Sequence, residues 1–167
     1  MNVWAVRPER DGDERGIAWA ITSAFAAAEH SGGNEADIVR RLREERELEA
    51  SYVAATPGGE IVGHVAFSPV LIDGVECGWY GLGPLAVLPD WQRRGIGTAL
   101  VEAGLQRLQR IDAAGCVVVG DPAYYARFGF AHDSALRYPG FRPEVFQVLL
   151  FEGERPTGVV QYSPAFG

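Results

Sequence analysis

The chain is poor in cysteine and histidine, has no apolar run long enough to cross a bilayer, and carries no excess of basic charge. Cys77 and Cys116 are the only cysteines in 167 residues. They form no Cys-x-x-Cys pair, so nothing encodes a disulfide framework or a thiolate metal centre. Both thiols are expected to be reduced. Cys116, in Cys-Val-Val-Val, reads as a small hydrophobe on a strand, and neither cysteine is expected to act as a nucleophile. His30, His64 and His132 stand at no metal-ligand spacing with the cysteines or with paired carboxylates, so no metal is expected. His64 alternates with apolar neighbours between Ile61 and Phe67, the pattern of a strand-face histidine. A membrane span needs about 20 apolar residues, and residues 1–10 lack a secretory core. A cytoplasmic protein with no membrane partner is therefore expected. With 15 basic and 22 acidic residues the net charge is −7, which argues against nucleic acid as a partner and permits a cationic acceptor.

What is present suits one globular domain over residues 1–167: 47% hydrophobic and 22% charged residues, without repeats or linkers. Val3 to Val6 reads as a strand ended by Arg7-Pro8. Helical periodicity follows over 13–28, with Ile17, Ala20, Ile21, Ala24 and Phe25 on one side, and again over 35–47 around Ile38 and Leu42. Strands are expected over 51–56, over 61–72 with an interruption at Ser68-Pro69, and from 77 or 78 to 88. The turn signals Pro57-Gly58-Gly59 and Asp73-Gly74 separate them. A helix over 95–111, an apolar strand over 116–120 and a short helix capped by Asp121-Pro122 come next. Residues 146–152 and 159–162 complete the pattern. This order predicts a mixed α/β sheet with helices on both faces.

The richest stretch is Gly81-Leu82-Gly83-Pro84-Leu85-Ala86-Val87-Leu88-Pro89, followed by Gln92-Arg93-Arg94-Gly95-Ile96-Gly97-Thr98. A strand leads through a turn into a helix that begins at two glycines. Free amides at a helix start, with the helix dipole behind them, favour an anion, and Arg93 and Arg94 add positive charge. The segment reads as a phosphate or pyrophosphate site. A P-loop would require Gly-x-x-x-x-Gly-Lys-Ser/Thr, which is absent. A dinucleotide fingerprint would require a small residue where Leu100 stands, and it normally opens the first βαβ unit rather than lying past mid-chain. An NAD-type oxidoreductase is thereby disfavoured. Gly81 and Gly83 predict a bulge or a close approach by a ligand.

Gln92, Gly95 and Gly97, placed after a strand ending in Val-x-Pro, resemble the acetyl-CoA motif of the GCN5-related N-acetyltransferases. A second segment, Ala123-Tyr124-Tyr125-Ala126-Arg127-Phe128-Gly129-Phe130, is similar to that family's Tyr-x-x-Phe/Leu-Gly-Phe run. The likeness is strongest over 81–130 and points to a bacterial subgroup of N-acetyltransferases. It implies a mostly antiparallel sheet splayed at an acetyl-CoA cleft. It implies further that the backbone of Leu85, Ala86 and Val87 pairs with the pantetheine, and that Gln92, Arg93, Arg94, Gly95, Ile96, Gly97 and Thr98 hold the pyrophosphate. Tyr125 is then the acid that protonates the leaving thiolate, with Tyr124 its neighbour and rival. The expected reaction moves the acetyl group of acetyl-CoA directly to a primary amine of a small molecule or peptide. The alternative is a non-catalytic acyl-CoA-binding sensor or interaction module, and a homodimer is allowed. Glu76, Asp73, Asp121 and Glu29 are all open as the general base. Asp121 stands where the family often has Asn.

Overall fold

The computed structural model describes residues 3–26 and 32–167. Its spine is a sheet ordered β1-β2-β3-β4-β5-β7, built from β1 (Ala5–Pro8), β2 (Ala50–Ala55), β3 (Ile61–Ile72), β4 (Val75–Val87), β5 (Gly115–Val119) and β7 (Phe146–Leu150). Neighbours in this order are antiparallel, except for the parallel pair β4–β5. Two short strands extend it: β8 (Gly158–Gln161) takes the edge of β3 at Leu71 and Ile72, and β6 (Leu136–Arg137) pairs with β8. The helices are α1 (Glu14–Phe25), α2 (Glu35–Glu44), α3 (Ile96–Arg110) and the single turn α4 (Pro122–Tyr125). The predicted mixed α/β architecture is the observed one.

Strand alternation assigns the helices to opposite faces. Side chains grown at Gly63 would meet Ile96 and Leu100 of α3, and Phe67 fills the space against Gly104 of α3, so the odd positions of β3 from 63 to 67 face α3. His64 has the other parity. Its partners run through Ser51 and Glu9 to Arg43 of α2. Residues of α1, α3 and the central strands, among them Ile17, Ile21, Val65, Phe67, Leu100, Val101 and Val118, form the main core. β5 is buried along nearly its whole length, as expected of a strand without a polar side chain that is covered on both faces.

Local chemistry sets the ends of these elements. Asp73 and Gly74 both have positive φ (50° and 77°) and join Ile72 to its partner Val75, a type I′ turn. α2 stops at Glu44 rather than continuing to 47, because Arg46 turns left-handed (φ 59°) while the Glu47 amide bonds the Leu42 carbonyl at 2.8 Å. α3 closes in the same way at Asp112 (φ 58°), with the Ala113 amide on the Leu108 carbonyl. α1 ends at Phe25 with Ala26 as its C-cap, and residues 27 and 28 of the helix expected to 28 lie outside the described residues. β3 runs unbroken through Ser68-Pro69. The sequence signal there marks a register shift between Pro69 and Leu71, not an interruption. The predicted caps of α4 are present: Asp121 accepts from the Ala123 amide at 3.0 Å, and Pro122 opens the helix.

Candidate active site

β4 is paired on both sides only along part of its length. Its parallel pairing with β5 ends at Leu82↔Val118, whereas its antiparallel pairing with β3 continues to Val87↔Gly63. The parting falls at Gly83 (φ 139°) and Pro84, the residues that predicted an irregular strand. β3 and β4 also shift register there, between Val65 and Phe67. Beyond Gly83, β4 therefore presents a free edge. The Leu88 amide donates to the Val62 carbonyl at 2.9 Å, so alternation turns the backbone groups of Ala86 toward β3 and those of Leu85 and Val87 toward the free edge. The Val87 carbonyl accepts from Gln92 Nε2 at 3.2 Å, a bond that ties the following turn to the strand.

Two cavities flank this edge and share Leu85. The first, 480 Å³, is lined by Leu85, Val87, Trp91, Gln92, Arg93, Gly95, Ile96, Gly97, Thr98, Tyr124 and Arg127. Its floor is the start of α3. Arg93 (φ 64°) and Gly95 (φ 84°) are both left-handed, a sharp turn that arginine adopts only under constraint from its surroundings. The first intrahelical bond runs from the Ala99 amide to the Gly95 carbonyl (3.0 Å), so the amides of Ile96, Gly97 and Thr98 precede it and open toward the turn. A side chain added at Gly95 would meet nothing within 4 Å, whereas one at Gly97 would reach the Tyr124 hydroxyl at 3.0 Å. A concave row of amides beside open space is what a phosphate group requires.

The sequence-predicted residues divide at this point. Ala86 does not belong to the cleft: its side chain is in the core and its backbone is on the β3 side, because only alternate residues of a strand address one edge. Arg94 folds away, with its guanidinium 4.8 Å above the Trp91 ring and bonded to the Asp90 carbonyl at 3.2 Å. The cation that enters the cavity beside Arg93 is Arg127, whose role the sequence reading missed. It packs 4.3 Å from the Tyr124 ring, bonds the Tyr124 carbonyl at 2.9 Å and reaches Thr98 Oγ1 at 3.3 Å. Its one signal was its place in the second motif, three residues after Tyr124.

The second cavity, 370 Å³, holds Tyr125, together with Leu82, Gly83, Pro84, Leu85 and a set of aromatic rings. Tyr125 is 8% exposed, and its ring packs edge-on against Tyr124 (5.0 Å) and Phe130 (5.8 Å). Burial holds its phenol protonated well above the usual tyrosine range. The base candidates fare differently. Asp73 Oδ1 accepts from the Val159 amide at 2.8 Å, and Asp121 caps α4. Glu76 is exposed on the part of β4 opposite Leu71, and Glu29 lies outside the described residues. None of the three described candidates, Asp73, Asp121 and Glu76, lines either cavity. Cys116 is fully buried, which pushes its thiol up, and Cys77 is exposed; both are free.

His64 sits apart from this cleft in a buried polar relay. Its Nε2 is 2.8 Å from Ser51 Oγ, which donates to Glu9 at 2.6 Å; Glu9 in turn receives two bonds from Arg43. Burial pushes His64 down to about 4. Burial alone would raise Glu9, but the bonds from Arg43 and Ser51 outweigh it and hold that carboxyl below its ordinary value. With its hydroxyl proton directed at Glu9, Ser51 accepts from His64, so the trio does not form an activated serine nucleophile. A 510 Å³ groove beside Glu9, Arg43 and Ser51 shares no residue with the two cavities at the β4 edge. Among the described residues, no cluster of His, Cys, Asp or Glu side chains could hold a metal, and no helix is long and apolar enough to cross a membrane.

Comparison with known proteins agrees with this geometry. The model of the acetyltransferase (GNAT) domain matches residues 47–132. An uncharacterized N-acetyltransferase of Escherichia coli K12, YhbS, is 39% identical over 139 residues, covering 79% of this chain and 83% of that protein. A GNAT family acetyltransferase from Brucella melitensis, solved in complex with acetyl-CoA, superposes with a TM-score of 0.88 at 42% identity over 98% of both chains. The Escherichia coli YhbS structure in complex with CoA gives 0.87 at 34% identity, over 99% of this chain and 93% of that one. With the matched domain covering both motifs and the fold shared end to end, this chain belongs to the GNAT family of N-acetyltransferases.

Proposed function

We propose that the chain moves the acetyl group of acetyl-CoA directly to a primary amine of a small molecule or peptide. The observation that carries this reading is the free edge of β4 between two cavities that meet at Leu85. The backbone of Leu85 and Val87 pairs with the pantetheine arm as an added strand would. The amides of Ile96, Gly97 and Thr98 hold the pyrophosphate, with Arg93 and Arg127 beside it. The acetyl thioester then lies at Leu85, whose amide polarises its carbonyl, with Tyr125 on the far side.

The proton balance is simple. The ammonium of the acceptor first loses a proton to solvent. Its lone pair then forms the N–C bond as the C–S bond breaks, and Tyr125 gives its proton to the departing thiolate. The proton shed by the new amide nitrogen restores the phenol, so one proton is released per turnover. A phenol kept protonated by burial suits the role of acid. Complexes of the Brucella melitensis and Escherichia coli relatives with acetyl-CoA and CoA support the choice of cosubstrate. The exposed, free Cys77 suits a reducing, cytoplasmic setting.

The test is calorimetry with acetyl-CoA and with NAD, followed by release of CoA thiol against a panel of amines. All 15 basic residues are arginine, so lysine self-acetylation adds no background. Absence of acetyl-CoA binding would end this reading. Tight binding without turnover of any amine would instead favour a non-catalytic acyl-CoA module.

A further inference from the structure

The acetyltransferase reading leaves the acceptor unnamed, and the walls of the second cavity bear on it. Tyr138 and Phe141 stack at 5.2 Å and 12°; Tyr138 continues to Tyr162 at 5.0 Å, and Tyr162 to Phe166 at 5.0 Å. With Phe25 of α1 these rings enclose the 370 Å³ space that opens on Gly83, Pro84 and Leu85. Its one charged lining residue, among those described, is Glu35, at the first turn of α2, where the helix dipole favours negative charge; its Oε2 already accepts from the Asn34 amide at 3.0 Å, which leaves its negative charge in place. Among the described residues, no cation lines the space to receive a carboxylate or phosphate. It offers few polar partners to the amides of a peptide, which would be desolvated at a cost.

Resting on that reading, we infer that the acceptor is a small primary amine carried on a compact aromatic or branched apolar body without an anionic group. The body packs among Tyr138, Phe141, Tyr162 and Phe166, and Glu35 draws the ammonium into the cavity before deprotonation. Phe141 sets the size limit. It is half exposed, and the Tyr138–Phe141 stack also lines a separate cavity of 380 Å³ toward His132, Leu136 and Pro143. Removing the Phe141 ring is expected to enlarge the space toward that cavity, with Tyr138 still between them.

The experiment measures kcat/KM by thiol release for 2-phenylethylamine, 4-phenylbutylamine, spermidine, phenylalanine and a lysine peptide, with acetyl-CoA affinity measured separately. 2-Phenylethylamine is expected to exceed phenylalanine, spermidine and the peptide by at least tenfold. Phe141→Ala should raise its KM by roughly three- to tenfold, the loss of one aromatic pairing, while 4-phenylbutylamine improves and acetyl-CoA affinity stays the same. Glu35→Gln should raise KM for the amines without lowering acetyl-CoA affinity. If acetyl-CoA binds but spermidine, phenylalanine or the peptide is preferred, or no arylalkyl amine reacts, the acceptor assignment is overturned and the cosubstrate assignment stands. Phe141→Ala acting equally on all amines also overturns it. Failure of acetyl-CoA to bind overturns the acetyltransferase reading and this inference with it.

Discussion

The hydroxyl of Tyr124 lies 3.3 Å from Oγ1 of Thr98 and ties α4 to the first turn of α3. The two motifs of the sequence, some thirty residues apart, thus meet at Thr98. Arg127 reaches the same Thr98 oxygen at 3.3 Å, so both motifs furnish one wall of the 480 Å³ cavity.

That contact sharpens the test of the phosphate site. A Cβ at Gly97 would press on the Tyr124 hydroxyl at 3.0 Å, and valine adds two methyl groups beside the open amides. Gly97→Val is expected to lower acetyl-CoA affinity on the order of 100-fold, about 2.7 kcal/mol, with a folded protein by circular dichroism. Tyr124→Phe should relieve the crowding at Cβ and make Gly97→Ala nearly neutral in that background. Unchanged calorimetric affinity in folded Gly97→Val would remove the pyrophosphate from this turn.

Arg127, not Arg94, is expected to supply the ionic contact. A hydrogen bond to a charged group contributes about 1.5–3 kcal/mol, so Arg127→Gln should weaken acetyl-CoA binding roughly ten- to 100-fold and flatten its dependence on salt. Arg94→Gln, which loses only the Trp91 and Asp90 contacts, should change affinity far less. Titrations at low and moderate ionic strength decide between them, and the reverse ranking would show that Arg94 swings in.

Tyr125→Phe keeps the ring against Tyr124 and Phe130 and removes only the hydroxyl. Loss of a general acid costs on the order of 100- to 10,000-fold in rate, so turnover should fall steeply at near-normal acetyl-CoA affinity. Tyr124→Phe should affect turnover less. Equal turnover of Tyr125→Phe and wild type, measured where chemistry limits the rate, would reduce Tyr125 to a packing residue.

The buried relay predicts acid sensitivity. His64, held near 4 by burial, stays neutral in the folded chain while the unfolded chain takes up a proton near 6.5. Between those values the unfolded state binds more protons, so stability present above pH 6.5 is lost as pH falls toward 4, by at most about 3 kcal/mol. Glu9, held below its ordinary value, adds a further loss below about 4.5. Urea midpoints at pH 7, 5.5 and 4.5 should fall in that order. A flat profile down to 4.5 would mean that His64 is protonated or solvated in the native state.

The parts of this protein written locally were legible in its sequence. The turn leading into the glycine-rich helix start, the cap formed by Asp121-Pro122, the turn at Asp73-Gly74 and the unpolar run of β5 each follow from the φ range, donors or side chains of adjacent residues. The two motifs at their spacing sufficed to indicate the family. Tertiary structure decided the rest, because it depends on which segments meet. Register with β3, not composition, turns Ala86 away from the cleft and Leu85 and Val87 into it. The packing of Tyr124 on α3 brings Arg127 into the cavity, while Trp91 draws Arg94 out. The aromatic walls come from residues as far apart as Phe25 and Phe166, a grouping that no short-range pattern encodes. His64 reads along the chain as one more strand residue. Only the fold buries it completely, beside Ser51 and Glu9 from two other segments, and so makes it sensitive to acid.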